Sequence, residues 1–339
     1  LTLLLLSMGL GTIITMSSSH WLLAWAGLEM NTLAIIPVIS KHHHPRATEA
    51  ATKYFLIQAT ASALILLSST MNAWKTGQWD ISQLSTPEAT ITLTLALAMK
   101  LGLAPMHFWV PEVLQGSTLL TAMLISTWQK LAPTSLLLLT HNSLNSTTLI
   151  TLGLLSSVMG GWLGLNQTQT RKIMAFSSIA HMGWLFTALT INQNITLITL
   201  TMYLLLTTTM FFTLTLTTSK TLLDLGTTTN MAPTLLITSM LTLMSLGGLP
   251  PLTGFMPKWL ILTELTTTLP LTSTILALST LPSLFFYLRM SQMTTLALPP
   301  KTTLIEHKWR FKTHTTPPTP TTILSTLLLP ITPLIMNLN

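Results

Sequence analysis

Long apolar runs constrain the fold of this chain more than any other feature of its sequence. Runs of about 20 predominantly apolar residues, the length that lets a helix cross a bilayer, recur from one end of the 339 residues to the other. Only 7% of the residues are charged, whereas soluble domains carry roughly 25%. Because a backbone in lipid must satisfy its own hydrogen bonds, such runs form helices. The sequence therefore predicts an all-α polytopic membrane protein.

The apolar runs predict about 11 transmembrane helices. They lie near residues 2–19, 21–40, 50–71, 89–110, 116–140, 146–165, 171–191, 195–218, 233–267, 270–290 and 321–337. The run 233–267 is too long for one straight span and contains GGLPPLTGF, so we interpret it as one crossing made by a broken helix. Residues 1–19 have no basic segment before the apolar run and no clear cleavage site, so we expect a retained first helix and not a signal peptide.

The basic residues of the predicted loops fall mostly on one side of the membrane. If the loops alternate sides, one side receives only Lys75, and the other collects Lys41, Arg46, Arg171, Lys172, Lys220, Lys301, Lys308, Arg310 and Lys312. Loops on the inner side of a membrane carry such an excess. The N-terminus is therefore predicted on the inner side and the C-terminus on the outer side. Since this topology explains the formal charge of +7, no nucleic-acid partner is expected.

No cofactor and no metal site are predicted on this chain. Without a cysteine in the sequence, it cannot hold an iron–sulfur cluster or a zinc ion through thiolates. His42, His43 and His44 are adjacent in a predicted loop, but no carboxylate or thiol stands at a ligand spacing. Phosphate-binding and dinucleotide-binding motifs do not occur in a usable setting. Any redox chemistry is expected on another subunit.

Two of the apolar runs share an interruption by glycine and proline. Residues 100–109 read KLGLAPMHFW and residues 245–259 read SLGGLPPLTGFMPKW, and a lysine accompanies each interruption. Paired Gly/Pro interruptions in the two halves of a chain are typical of transporters built from inverted repeats. The alternative is that both are ordinary proline kinks.

The chain is accordingly predicted to consist of two half-repeats and a C-terminal part. The half-repeats and their breaks are residues 1–140 with a break near 98–113, and residues 141–290 with a break near 233–267. Residues 291–320 are basic and proline-rich and are predicted to form a surface connection, either a strap that docks on a partner or a solvated linker. Residues 321–339 contain the last predicted transmembrane helix.

Four ionisable residues lie inside the apolar runs, where a charge costs several kcal/mol: Glu29, Lys100, Lys130 and Lys258. Glu29 and Lys130 lie about halfway along their predicted spans, too deep for their charges to reach an interface. A carboxylate facing a lysine keeps it charged, whereas desolvation favours its neutral form. One glutamate cannot pair statically with three lysines, so at least one lysine is expected to titrate. The four residues predict a proton relay, and a static buried salt bridge is the alternative for any one of them.

Further ionisable residues are weaker candidates. His181 is predicted near the middle of a span, where it either joins the relay, because imidazole titrates near neutrality, or is a hydrogen-bonded core histidine. His107 and Glu112 flank the first break, and Glu112 is either a residue of a channel mouth or simply solvated. Lys53 and Arg289 lie close to predicted span ends and are interpreted as anchors whose charged groups reach the interface.

The sequence around these sites resembles a known family. The segments GLEMN, MKLGLAPMHFWVPEV, STWQKLAP, SSIAHMGW and SLGGLPPLTGFMPKW, in this order and spacing, resemble the NADH dehydrogenase subunit 2 family of mitochondrial respiratory complex I. The resemblance covers most of the chain. The composition, rich in threonine and leucine, is similar to that of mitochondrially encoded animal proteins.

The resemblance implies an antiporter-like fold in its short animal form, which lacks the first three helices of that fold. It also implies a proton-translocating subunit of NADH:ubiquinone oxidoreductase in the mitochondrial inner membrane, with the N-terminus on the matrix side and the C-terminus on the intermembrane-space side. The implied partners are the other membrane-arm subunits of a hetero-oligomer and membrane lipids, cardiolipin among them. A subunit or lipid must cover the surface left by the absent helices.

For the site, the resemblance implies that Glu29 tunes Lys100, that Lys130 is the central relay and that Lys258 faces the exit half. With His181, these residues form the predicted relay. Two other functions stay open. The same helices would support a stand-alone cation/proton antiporter, or the chain could serve as an inert membrane spacer for assembly.

Overall fold

The computed structural model describes residues 2–41, 44–227, 233–250, 252–295, 322–323 and 325 of the chain. Every regular element within these residues is a helix, which confirms the predicted all-α class for the described part. Some sequence predictions lie outside it: those on His42 and His43, on nearly all of the 291–320 connection and on nearly all of the helix near 321–337.

The described helices follow one another closely along the chain. They are α1 (Thr2–Ser17), α2 (Trp21–Ser40), α3 (Pro45–Thr76), α4 (Pro87–Leu101), α5 (Trp109–Gly116), α6 (Leu119–Ser126), α7 (Trp128–Thr140), α8 (Ser146–Gly164), α9 (Thr170–Leu189), α10 (Gln193–Thr217), α11 (Leu222–Thr227), α12 (Pro233–Gly247), α13 (Phe255–Thr268) and α14 (Pro270–Thr294). A short 3₁₀ turn, His141–Ser143, follows α7. By length and composition, five of the described helices can cross a membrane: α2, α3, α8, α10 and α14.

Three of the predicted spans are each divided into two helices. The run 89–110 contains α4 and the start of α5, the run 116–140 contains α6 and α7, and the run 233–267 contains α12 and most of α13. The division between α6 and α7 was not predicted. It falls at Thr127, whose backbone N–H and side-chain hydroxyl both donate to the carbonyl oxygen of Met123, at 3.0 and 2.6 Å. The sequence prediction treats 116–140 as one span, although residues 126–130 read STWQK and interrupt the apolar pattern.

Local sequence explains where several helices begin and end. Proline occupies the first turn of α3, α4 and α14, where its missing N–H would have no helical partner and its fixed φ suits a helix start. At the other end, Gly77 follows α3 with a φ of 73° and its N–H donates to the carbonyl of Ala73. This left-handed residue closes the helix at little steric cost, since glycine has no Cβ.

Threonine and serine hydroxyls inside the helices bond to their own helix. The hydroxyl of Thr94 donates to the carbonyl of Ile91 at 2.8 Å, and that of Thr213 donates to the carbonyl of Met210 at 2.8 Å. The same bond to a carbonyl one turn earlier recurs along α3, α10 and α14. The polar group is thereby satisfied inside the helix, which explains how a threonine-rich chain forms membrane helices.

The chain divides into two compact units. Unit 1 contains Leu1–Ser156 and Met182–Gln193, and unit 2 contains Ser157–His181 and Asn194–Asn339. Both α8 and α9 therefore contribute residues to each unit. In unit 1, α3 is the central helix, because it packs against α2, α4 and α5. In unit 2, α14 packs against α11, α12 and α13.

Candidate functional site

The first break lies between α4 and α5. Gly102 has a φ of 78° and directly follows the last residue of α4. The N–H groups of Gly102 and Leu103 both donate to the carbonyl of Ala98 at 2.9 Å. A bond from the residue after a left-handed glycine back to the residue five positions earlier defines a Schellman end. The chain leaves the helical conformation here and re-enters it at Trp109.

The second break, between α12 and α13, ends its first helix in the same way. Gly248 follows α12 with a φ of 80°, and the N–H of Leu249 donates to the carbonyl of Met244 at 3.3 Å, again five positions earlier. The next helix begins seven residues after the glycine in both cases, at Trp109 and at Phe255. The two breaks therefore share one register, with WVPE at 109–112 matching FMPK at 255–258.

In this shared register, the two lysines that accompany the breaks occupy different positions relative to their glycines. Lys100 precedes its glycine by two residues and is the next-to-last residue of α4, whereas Lys258 follows its glycine by ten residues and lies in the first turn of α13. The residue ten positions after Gly102 is Glu112. By position, Glu112 and not Lys100 is the counterpart of Lys258.

Lys100 is held by its backbone beside the first break. Its side chain is 5% exposed. Its carbonyl accepts a hydrogen bond from Nε2 of Gln58 at 3.3 Å, and the carbonyl of Met99 accepts one from Nε1 of Trp109 at 3.1 Å. The Nζ atom of Lys100 is buried without a hydrogen-bond partner in the described part of the chain. The ammonium is thus the chemically exceptional group at this break.

Glu29 and His107 are the other candidates near Lys100. Glu29 is half-buried on α2, and its carboxylate accepts a hydrogen bond from the hydroxyl of Thr32 at 3.1 Å. Glu29 and Lys100 form no ion pair in the described part of the chain. His107 lies between α4 and α5, is 1% exposed and packs on the ring of Phe108. Unit 1 therefore contains Glu29, Lys100 and His107, with Lys100 and His107 buried beside the first break.

Lys130 lies near the start of α7, just after the interruption at Thr127, and is 4% exposed. Its neighbour Gln129 donates from Nε2 to Oδ1 of Asn31 at 3.0 Å and accepts at Oε1 from the hydroxyl of Tyr54 at 3.4 Å. These side chains link α2, α3 and α7. Sequence reasoning missed Asn31, Tyr54, Gln58 and Gln129 because it followed charge alone. Uncharged amides inside apolar runs are the signal that would have found Asn31, Gln58 and Gln129, whereas Tyr54 carries no such signal.

Unit 2 contains the remaining relay candidates. Lys258 is 9% exposed, and its Nζ donates to the carbonyls of Gly247 at 2.9 Å and Leu246 at 3.5 Å. His181 is half-buried, with Nε2 at 3.4 Å from the hydroxyl oxygen of Tyr287 and its ring packed against Tyr203. Lys258 is therefore bound to the end of α12, and His181 lies among tyrosines.

The residues interpreted as interfacial anchors have specific partners. Nζ of Lys53 lies 2.6 Å from a carboxylate oxygen of Glu49 and 2.7 Å from one of Glu112. Glu112, predicted as either a mouth residue or a solvated one, is thus paired with α3. Arg289 donates from one guanidinium nitrogen to the carbonyl of Leu165 at 3.1 Å, beyond the end of α8. A position near the end of a span does not by itself predict the contacts that either cation forms.

Metal ligands are not grouped in the part of the chain that the structure describes. Among those residues, no set of three or more His, Cys, Asp or Glu side chains is placed to hold an ion. Of the adjacent loop histidines, only His44 is described, and its Nδ1 accepts a hydrogen bond from the N–H of Arg46 at 3.3 Å. His44 thereby caps the start of α3.

Comparison with known proteins assigns this chain to a family. Residues 18–285 match the family described as "NADH:quinone oxidoreductase/Mrp antiporter, TM". Residues 284–336 match "NADH dehydrogenase subunit 2 C-terminus". Together the two matches span almost the whole chain, and the first includes both breaks and all five relay candidates.

Individual relatives agree with these matches. NADH-ubiquinone oxidoreductase chain 2 of Oncorhynchus mykiss is 55% identical over 336 residues, which cover 98% of this chain and 96% of that protein. A chain of respiratory complex I from Thermus thermophilus is 28% identical with a TM-score of 0.86, covering 99% of this chain and 78% of that one. A chain of the Mrp complex from Dietzia shares the fold at 16% identity, with a TM-score of 0.80 over 88% of this chain and 61% of that one. The chain therefore belongs to the NADH-ubiquinone oxidoreductase chain 2 family.

Proposed function

We propose that this chain is a proton-translocating membrane subunit of NADH:ubiquinone oxidoreductase and that its buried lysines carry the protons. One observation carries the proposal: Lys100, Lys130 and Lys258 are each at most 9% exposed, in helices of an antiporter-like membrane fold. A buried ammonium is unstable unless its surroundings stabilise it. Small changes in those surroundings therefore move it between charged and neutral forms, as a loading and unloading site requires.

The relay works through the charge around each lysine. In this proposal the carboxylate of Glu29 acts on the charge of Lys100, and the α12 carbonyls stabilise the ammonium of Lys258. Lys130 and His181 are the intermediate carriers, and His107 adds a titratable group at the first break. Each proton moved against 100 mV costs about 2.3 kcal/mol. The relay therefore needs drive from outside the chain, and we assign the redox chemistry and its cofactors to other subunits.

The finer architecture follows the same proposal. The chain forms about 11 membrane crossings, with α4–α5 and α12–α13 as the two broken helices of inverted half-repeats, residues 1–140 and 141–290. The common Schellman register of the two breaks supports this pairing. Each break exposes helix-end backbone groups, which must face protein or water, and each stands beside a buried lysine.

The proposed setting is the mitochondrial inner membrane. The excess of loop cations on one predicted side supports an N-terminus in the matrix and a C-terminus in the intermembrane space. The respiratory complex that contains the Thermus thermophilus relative supports other membrane-arm subunits as partners in a hetero-oligomer. Anionic lipids such as cardiolipin are the proposed partners of the basic loops.

Replacing Lys130 by methionine in the intact complex tests the function. Methionine keeps a flexible apolar chain but carries no proton, so we expect at least a tenfold loss of proton translocation per NADH oxidised, with assembly retained. Lys41→Met removes an exposed lysine after α2 and is the matched control. Normal proton stoichiometry in an assembled Lys130→Met complex would overturn the proposal and favour the inert spacer.

A stand-alone cation/proton antiporter is the second candidate, because the family description and the Dietzia fold neighbour both include Mrp proteins. Reconstitution of the purified chain in vesicles separates the two functions. Sodium-dependent proton exchange by the isolated chain would favour the antiporter. We expect no exchange, because among the described residues no group of three or more carboxylate or histidine side chains is placed to hold a second transported cation.

A further inference from the structure

Successive turns on one face of α3 contact the residues around the first break. The carbonyl of Lys100 is bonded by Gln58 at 3.3 Å. One turn nearer the start of α3, the ring of Tyr54 packs edge-on against that of Trp109, with centroids 5.7 Å apart. Trp109 in turn bonds the last turn of α4. The position of α5 on α3 is therefore linked to the position of Lys100.

The same face continues to the far end of α5. A Cβ added to Gly116 would lie 2.6 Å from the Cβ of Ala50 and 2.7 Å from the carbonyl oxygen of Arg46. The backbones of α3 and α5 are thus in direct contact there. Between this contact and Trp109 lies one charged link, from Lys53 to Glu112 at 2.7 Å. The other contacts on this face are packing or hydrogen bonds, so among the described residues the pair of Lys53 and Glu112 is the only charge pair that joins this face of α3 to α5.

Lys53 is shared between two carboxylates. Glu49 lies one turn earlier on α3, with its oxygen 2.6 Å from Nζ, while Glu112 belongs to the first turn of α5. The bond to Glu49 stays within one helix and fixes nothing outside it. The bond to Glu112 joins two helices. If Glu112 loses its charge, Lys53 keeps Glu49 as its partner and the α3–α5 link alone is lost.

We propose that Lys53 is a positioning residue for Lys100. By binding Glu112, it holds α5 against α3, and α5 in turn fixes the end of α4 through the indole of Trp109. The inference rests on the proposed function, in which Lys100 carries a proton. Glu112 occupies the position that Lys258 holds at the second break, so each break has an ionisable side chain at this position, one that binds a neighbouring helix and one that binds helix-end carbonyls.

The chain contains a matched control on the same helix. Lys75, near the end of α3, pairs with Glu88 in the first turn of α4. The side chains are 50% and 59% exposed in this pair, against 41% and 52% for Lys53 and Glu112. Exposed ion pairs of this kind usually contribute little to stability. If the loss of an exposed ion pair has only a general effect, Lys53→Met and Lys75→Met should behave alike. If Lys53 positions Lys100, only Lys53→Met should have an effect.

The test compares Lys53→Met, Lys53→Arg, Glu112→Gln, Glu49→Gln and Lys75→Met in the intact complex. The first readout is hydrogen exchange at the amides of Gly102 and Leu103, which close α4. We expect at least a threefold faster exchange in Lys53→Met and in Glu112→Gln. Lys53→Arg, Glu49→Gln and Lys75→Met should exchange like the parent protein, because each keeps the α3–α5 link.

The second readout is the pH profile of proton translocation, which the same two variants should shift and the other three should not. Hydrogen exchange does not depend on pumping, so it tests positioning even if Lys130→Met disproves the proposed function. Equal exchange in Lys53→Met and Lys75→Met would overturn the inference, as would equal effects of Glu49→Gln and Glu112→Gln. If Lys53→Met does not assemble, the nearly isosteric Glu112→Gln variant decides the outcome.

Discussion

Nζ of Lys258 lies 2.9 Å from the carbonyl oxygen of Gly247, the last residue of α12. The final carbonyls of a helix have no partner within it and carry partial negative charge. The ammonium thus binds where the next turn of α12 would have supplied N–H groups. Lys258 belongs to the second break itself and not only to the helix that follows.

Two substitutions separate the two roles of Lys258. Lys258→Arg keeps a cation at the α12 carbonyls but cannot release its proton, so we expect normal stability and loss of proton translocation. Lys258→Met should lose translocation and also about 1–3 kcal/mol of stability, because buried carbonyls lose their donor. Thermal inactivation and proton stoichiometry of the assembled complex measure the two effects. A translocating Lys258→Arg complex would contradict titration at this residue.

Gly248→Ala should disturb Lys258 by crowding. The added Cβ would lie 2.9 Å from both Cδ and Nζ of Lys258, at a φ of 80°. Gly77→Ala is the control, since its φ is 73° and no atom lies within 4 Å of its added Cβ. We expect both variants to lose about 1–2 kcal/mol for the left-handed backbone, measured by thermal inactivation, and only Gly248→Ala to slow proton translocation. Equal translocation in the two variants would show that the contact with Lys258 is unimportant.

The two Gly/Pro interruptions are local signals in the sequence, and in the structure α4 ends at Leu101 and α12 at Gly247, each directly before a left-handed glycine. The sequence also shows that Lys100 precedes its glycine and that Lys258 follows its own. That Lys258 and Glu112 share one position relative to their glycines depends on which glycine takes the left-handed conformation. The second motif offers two adjacent glycines, and only the backbone shows that Gly248 has the positive φ. The division of α6 from α7 at Thr127 coincides with the polar residues STWQK at 126–130, which the prediction of one span over 116–140 does not use.

Gln129→Leu should destabilise unit 1 by about 1–3 kcal/mol, because Asn31 is 2% exposed and would lose its donor. The double variant Asn31→Leu/Gln129→Leu should lose less than the sum of the single variants, since it leaves neither amide unsatisfied. Thermal inactivation of the three variants gives the coupling energy. Gln129→Leu combined with Asp224→Asn, which lies in unit 2, should be additive. Additivity within the Asn31–Gln129 pair would mean that their hydrogen bond contributes nothing.

The stability of the loop before α11 should depend on pH through the carboxylate of Asp224. Burial raises the pKa of this carboxyl, but N–H groups of Thr221 at 2.8 Å and Lys220 at 3.0 Å donate to it and hold its pKa below the usual value. A lowered folded-state pKa gives stability that is present above the unfolded value of about 3.9 and is lost as the pH falls through the folded value.

Hydrogen exchange at the amides of Lys220 and Thr221 checks this dependence. Asp224→Asn cannot ionise, so we expect these amides to exchange faster in the variant than in the parent protein at neutral pH. The ratio of the two rates should approach one only as the pH falls through the lowered pKa of the parent carboxyl, which lies below the usual value of about 3.9. A ratio that does not change with pH would show that the charge of Asp224 has no part in holding the loop.

Charge is the sequence signal that identifies the relay candidates, but the residues that contact them are mostly uncharged. Glu29, Lys100, Lys130 and Lys258 stand out because ionisable groups are rare in apolar runs. Gln58, which bonds the carbonyl of Lys100, does not stand out, because its partner is 42 residues away in sequence and is a backbone atom. Pairing of Lys53 with Glu112 was missed for a related reason: both lie near span ends, where charged residues are ordinary.

The hydroxyls that donate hydrogen bonds within their own helices affect whether protons can leak along those helices. A proton hops along hydroxyl groups only if each can both accept one and pass one on. The hydroxyl proton of Thr94 or Thr213 is directed to a backbone carbonyl, which cannot release it onward. These hydroxyls are therefore not links along which a proton could hop, and the proposed relay would lose no proton through them.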